Sequence, residues 1–143
     1  MATAKDALER HFTTWNARDR DGWLSLIDSN WELVGPGGMT GTGRPAAEQF
    51  WSLWYDAFPT HRLDVVQEIA EGNTVVFEAF FDGTHTGPLN LPTGTVPPTG
   101  KHVRIPYVLI ATASGDSFSR FVFYYDQVEV LTQLGLMPAA VPA

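Results

Sequence analysis

Four long runs of β-branched and aromatic residues fill the second half of this chain, and they constrain its fold more than any other feature. Arg62 to Ile69, Thr74 to Gly83, His102 to Thr112 and Phe118 to Tyr125 each lie between turn signals, as strands do. Glu71-Gly72-Asn73 and Ser114-Gly115-Asp116 are hairpin-turn sequences, so the strands on either side of each are expected to pair antiparallel. Between the second and third runs, Pro88 to Gly100 is rich in proline and glycine and reads as an exposed loop.

The first half carries a different period. Leu8, Phe12 and Trp15 fall at intervals of four and three, which makes one helical face from Lys5 to Asn16. A second, shorter helix is expected from Asp21 to Ile27, with Trp23, Leu24 and Ile27 inward. Asn30 to Val34 then reads as a strand. Gly35 to Gly43 holds too many glycines for a regular element and is expected to be a mobile loop or hairpin able to gate a pocket. Pro45 suits the first turn of a third helix, whose aromatic face is Phe50, Trp51, Trp54 and Phe58 and which ends before Pro59.

Helices first and a long antiparallel sheet afterwards predict an α+β architecture in which a curved sheet wraps around a helix. With eighteen aromatic residues in the chain (five Trp, four Tyr and nine Phe), a pocket on its concave face would be apolar, which favours a hydrophobic small molecule. The 143 residues suit one domain spanning the whole chain, and no internal repeat or linker interrupts them. A net charge of -7, with nine scattered Lys and Arg residues, disfavours nucleic acid as a partner. No run of about eighteen apolar residues is present, and Met1 to Asp6 lacks the apolar core of a secretory signal. The expectation is therefore a cytoplasmic protein without a membrane partner. Cysteine is absent, and the histidines show no metal-ligand spacing, so no metal is expected. Any chemistry falls to oxygen and imidazole.

One carboxylate stands out. Asp126 ends the aromatic run Arg120-Phe121-Val122-Phe123-Tyr124-Tyr125 and precedes helical spacing at Val128, Leu131 and Leu134, which Gly135 and Pro138 stop. Asp126 and Glu129 have the spacing of a capping box, the structural reading of this pattern. A carboxyl held against aromatic walls could instead serve as a general base, because apolar surroundings raise its pKa.

Thr14-Trp15-Asn16-Ala17-Arg18-Asp19, Phe50-Trp51, Ala57-Phe58-Pro59, Gly83-Thr84-His85-Thr86-Gly87-Pro88, Pro98-Thr99-Gly100-Lys101, Tyr124-Tyr125-Asp126 and Leu131-Thr132-Gln133-Leu134-Gly135 occur in an order that resembles the SnoaL-like polyketide cyclases of the nuclear transport factor two-like superfamily. The resemblance covers nearly the whole chain. It implies a cone of curved antiparallel sheet closed by three N-terminal helices and a short C-terminal one, with an internal cavity. It also implies a cofactor-independent intramolecular aldol closure of a polyketide-like substrate, with Asp126 as acid/base, and a homodimer. The chain departs from the family's pattern at Arg120, where many relatives carry an acidic residue, and at Val122, where Trp is frequent.

An aldol closure also needs a donor for the developing alkoxide, and His85, Tyr124 and Arg120 are candidates. Arg120, Tyr124 and Asp126 share strand parity, so a regular strand would point all three to one face. Trp15, Trp31, Trp51 and Trp54 are candidate substrate contacts, with plain core as the competing role for each. Glu32, alone among alternating apolar residues, is expected to face water. Two other readings stand beside the cyclase: a different cofactor-free conversion in the same cavity, such as isomerisation, epoxide opening or hydroxylation, and small-molecule binding without catalysis, in which Asp126 is only a cap.

Overall fold

The computed structural model describes residues 3–137. Helix α1 (Ala4–Asn16) opens on a reciprocal cap: the Thr3 hydroxyl accepts from the Asp6 amide at 3.2 Å and the Asp6 carboxylate accepts from the Thr3 amide at 2.9 Å. Its buried face is Ala4, Ala7, Leu8, His11 and Trp15. The i, i+3, i+4 stripe therefore runs through His11, whereas Phe12, which the spacing placed inward, is only half-buried. Helix α2 (Arg20–Leu24) is shorter than expected, capped by Asp19, and Ile27 already belongs to a strand.

That strand, β1 (Ile27–Gly35), leads through a turn at Pro36–Gly38 into β2 (Met39–Thr42), which pairs antiparallel with it from Glu32↔Thr42 to Gly35↔Met39. The glycine-rich stretch is thus a regular hairpin rather than a loop. Helix α3 (Gly43–Ala57) follows without a gap, burying Ala47, Phe50, Trp51, Trp54 and Ala57 along one side.

Strands β3 (Arg62–Glu71), β4 (Thr74–Thr84), β7 (His102–Ser114) and β8 (Ser117–Tyr125) match the four predicted runs to within two residues at either end. They join β1 and β2 in one sheet of order β2-β1-β8-β7-β4-β3. Every pairing in it is antiparallel except β1 with β8, which is parallel, so the sheet is mixed rather than wholly antiparallel. The Pro88 to Gly100 excursion contains a small hairpin of its own, β5 (Leu89–Leu91) with β6 (Gly94–Val96), and Leu89 is fully buried beneath it. Helix α4 (Gln127–Gln133) closes the described chain; Pro138, its expected stop, lies outside the described residues.

Register breaks at Val65/Gln67, at Thr112/Ala113 and between Ile27 and Glu32 insert residues on one strand only, and such bulges bend a sheet. The inner face carries Val75, Phe77 and Ala79 from β4, Val103, Ile105, Leu109 and Ala111 from β7, and Phe121 and Phe123 from β8, all buried. Against it pack α1 and α3, and the contact is overwhelmingly aromatic: Trp23, Trp31, Phe50, Phe77, Phe118 and Phe121 form one continuous assembly of edge-to-face, tilted and stacked rings with His11. Each such pair adds about 0.5–1.5 kcal/mol to the area it removes from water.

The segment between β4 and β5 is fixed by close backbone approach. Thr86 and Gly87 donate their amides to the Ala57 carbonyl at the end of α3, at 3.0 and 3.1 Å, and a Cβ on Gly87 would collide with the Asp56 carbonyl oxygen. Gly87→Ala is therefore expected to lower unfolding free energy by about 2 kcal/mol, because rigid backbone must shift to admit the methyl. Urea unfolding of the variant measures it; a midpoint equal to wild type would show that the approach is not tight.

Candidate active site

The concave face of the sheet encloses a cavity of about 60 Å³. Phe50 and Trp54 of α3 and His11 of α1 form one side; Phe81 of β4, Val103, Ile105, Tyr107 and Leu109 of β7, and Phe123 and Tyr125 of β8 form the other. Phe58, Leu63 and Val130 complete it. Among the described residues no charged side chain contributes, and the surface presented inward is carbon. Pockets for drug-sized ligands run to about 300–1,000 Å³, so a sizeable ligand must spread these side chains to be housed. Tyr125 and Val130 also face an outer groove of about 200 Å³ between the β5–β6 hairpin and α4, lined in addition by Leu91, Thr93–Val96, Gln127 and Leu131. Cavity and groove are separated there by single side chains.

Polar atoms lie just behind the carbon surface. His11 Nδ1 accepts the Trp23 indole N–H at 2.9 Å, which leaves the ring proton on Nε2, and that Nε2 has no hydrogen-bond partner among the described residues. The Tyr125 hydroxyl is also buried without a partner among the described residues. Burial pushes the phenols of Tyr107 and Tyr125 above their ordinary value, so both remain neutral donors. Burial likewise lowers His11 to about 3 and His61 to about 4, the latter despite the opposing Phe58 carbonyl. His61 is the counterpart of His11 on the far side of Trp15: its Nε2 accepts the Trp15 indole N–H at 2.8 Å and its Nδ1 donates to the Phe58 carbonyl at 2.7 Å.

Of the residues singled out in the sequence, Trp54 lines the cavity and the others fall elsewhere. Asp126 is exposed; it is the N-cap of α4, its Oδ1 accepting from the amides of Val128 at 2.9 Å and Glu129 at 3.2 Å. Only half of the expected capping box forms, because the Glu129 carboxylate accepts from Gln133 Nε2 at 2.8 Å instead. Val130 of α4 and Leu134 at its C-cap are buried, whereas Val128 is 55% exposed. Arg120 and Tyr124 do share a face, as parity required, but it is the outer one: Tyr124 is 59% exposed, and Arg120 reaches Glu32 of β1 at 3.8 Å. The inner face of β8 belongs to Phe121, Phe123 and Tyr125, the more aromatic of its two parities. The break at Thr112/Ala113 explains why Phe118, of the opposite parity, is buried too.

Trp15, Trp31 and Trp51 are buried in the core and do not line the cavity; they pack on Trp23, Phe121 and Tyr55, respectively. His85 is fully buried one layer behind the wall, its ring 5.1 Å from that of Phe58. The Thr99 amide donates to its Nδ1 at 3.2 Å, which places its proton on an Nε2 that also lacks a partner. Burial lowers its pKa. What sequence reasoning missed is the β7 wall and His11. The β7 signal was present as the alternation Val103, Ile105, Tyr107, Leu109; that of His11 was its place between Leu8 and Trp15 on the buried stripe of α1.

The profile of the SnoaL-like domain family matches residues 8–121. Several hundred solved chains share the fold. A candidate SnoaL-like polyketide cyclase from Jannaschia sp. CCS1 is 25% identical, with a TM-score of 0.82 over 94% of this chain and 93% of that one. IdmH, a candidate polyketide cyclase from Streptomyces antibioticus, is 20% identical, with a TM-score of 0.76 over 92% and 98%. A Catenulispora acidiphila protein with a ketosteroid isomerase-like fold, solved with trimethylamine, is 18% identical, with a TM-score of 0.76 over 96% and 98%. Curated protein sequences yield no match.

The two lowered histidines make stability pH-dependent in a definite direction. Above about pH 6.5 both are neutral in the folded and unfolded states, and nothing is lost. Below it the unfolded chain takes up protons that the fold refuses until about 4 and 3, so stability declines as pH falls. At pH 5 each site is expected to cost about 2 kcal/mol relative to pH 7. Urea unfolding at pH 7, 6 and 5 measures the decline; an unchanged free energy across that range would contradict the buried, neutral assignment.

Proposed function

This chain belongs to the SnoaL-like domain family, and on that premise we propose that it is a cofactor-independent cyclase that closes a carbon ring within a hydrophobic, polyketide-like substrate. The observation that supports this most is the cavity itself: an aromatic, charge-free hollow behind which neutral hydrogen-bond donors are held. The Jannaschia and Streptomyces relatives, described as candidate polyketide cyclases, point the same way. A methylene between two carbonyls is acidic enough to lose a proton to one carboxylate, and the resulting enolate carbon attacks a carbonyl of the same molecule. Walls that hold the two carbons together supply several kcal/mol of the barrier as prepaid ordering. A neutral phenol or imidazole N–H donating to the developing oxyanion supplies more.

In this reading Asp126 removes the proton. It stands one residue beyond the wall residue Tyr125 and beside Gln127 of the outer groove, so it would act on a part of the substrate that protrudes through the Tyr125–Val130 partition. A second reading is favoured by a specific observation: Asp126 already caps α4, and no carboxylate lines the cavity among the described residues. That reading is small-molecule binding without turnover.

One pair of variants separates them. Asparagine caps a helix as well as aspartate, so Asp126→Asn should leave stability within a few tenths of a kcal/mol, whereas Asp126→Ala should cost about 1 kcal/mol. For the cyclase, Asp126→Asn lowers turnover of a poly-β-keto test substrate roughly 10²–10⁴-fold while leaving its affinity within about twofold. Product mass identifies the reaction: ring closure with dehydration loses water, isomerisation changes nothing, and hydroxylation gains oxygen. Full turnover in Asp126→Asn would remove Asp126 from the mechanism.

A further inference from the structure

We propose that His11 reads the oxygen of the ligand: its Nε2–H donates to a carbonyl or enolate oxygen of a molecule bound in the aromatic cavity and so selects ketones over hydrocarbons of the same shape. The inference rests on the cavity being the ligand site, but not on which reaction follows there.

His11 is a wall residue, 3% exposed, and only one of its ring nitrogens has a partner among the described residues. Nδ1 is occupied by the Trp23 indole N–H, so the tautomer is fixed with hydrogen on Nε2. The rings around it, those of Phe12 at 4.9 Å, Phe121 at 5.6 Å, Phe77 at 5.8 Å and Phe118 at 6.2 Å, offer no acceptor, and Nε2 has none. An orphaned donor in such a place is costly, and native structures rarely keep one without a use. Ligand binding supplies the use. Spreading the wall to house a molecule larger than about 60 Å³ brings its atoms against the His11 ring, and an oxygen placed there satisfies the donor whereas a methylene does not. The neutrality of the ring suits this task. An uncharged imidazole N–H polarises a carbonyl or holds an enolate without first surrendering its proton, and an apolar cavity tolerates it.

A purely structural alternative exists, in which His11 serves only as the acceptor for Trp23. It predicts no dependence on ligand oxygen. Acetophenone and α-methylstyrene have nearly the same shape and differ in carbonyl oxygen against methylene, so titrating both into the intact ¹⁵N-labelled protein and its His11→Phe variant, by NMR, separates the two roles. The expected result is that His11→Phe weakens acetophenone binding about tenfold, the value of one satisfied buried hydrogen bond, and leaves α-methylstyrene within about twofold. In the wild type, the His11 Hε2 resonance should move downfield with acetophenone and stay with α-methylstyrene; this observation needs no variant and decides the matter if His11→Phe, having stripped Trp23 of its acceptor, fails to fold. Equal weakening of both ligands, or of neither, together with an unmoved Hε2 resonance, would overturn the role of His11 while leaving the cavity as a binding site. Failure of the wild type to bind either molecule would overturn the cavity reading and this inference together.

Discussion

Two buried hydrogen bonds from indole to imidazole organise this fold. Trp23 donates to His11 and Trp15 donates to His61, and together they tie α1 to α2 and to the start of β3. Each satisfies an indole N–H that would otherwise be orphaned in an aromatic core, and each fixes which ring nitrogen keeps its proton. Because the acceptors are imidazoles rather than carboxylates, the N–H groups are satisfied without bringing a charge into the interior. A cavity with carbon walls can then persist beside them.

The rest of the site follows from where that neutral core meets the bent sheet. Bulges curve β3, β4, β7 and β8 away from the helices far enough to leave a hollow, and aromatic rings from both sides close most of it. Charges are consigned to the outside. Asp64, Asp82, Arg62, Arg104 and His102 pair with one another on the outer face, and Arg120 pairs with Glu32. Such exposed pairs add little stability; their consequence is that the interior stays free of formal charge.

Much of this architecture was legible in the sequence, because long strands and amphipathic helices declare themselves by period. The four strands of the second half and α1 emerge within two residues of their predicted ends. The parallel pairing of β1 with β8 was not legible, since period reports that a segment is a strand but not which neighbour it finds. The site was harder for the same kind of reason. Parity correctly grouped Arg120 with Tyr124, yet a period of two cannot say which face is inner; the ring content of Phe121, Phe123 and Tyr125 held that information. Asp126 shows the limit most clearly. The Asp-x-x-Glu pattern described the Asp126 half of its local hydrogen bonding, and the resemblance to the cyclases described a role, but only coordinates place the carboxylate on the exposed end of α4. His11 was passed over, although it sits between Leu8 and Trp15 on the buried stripe, because a histidine there looks like an interruption rather than a wall.

The claim that carries the account is that the two core imidazoles, His11 in the cavity wall and His61 on the far side of Trp15, are uncharged and locked in single tautomers by tryptophan. Long-range ¹H–¹⁵N correlation spectra of the histidine rings at pH 6 test it directly. The account predicts that His11 shows a protonated Nε2 and a bare Nδ1, and His61 the reverse, both neutral. Imidazolium signals from either ring at that pH, or rapid exchange between tautomers, would contradict it.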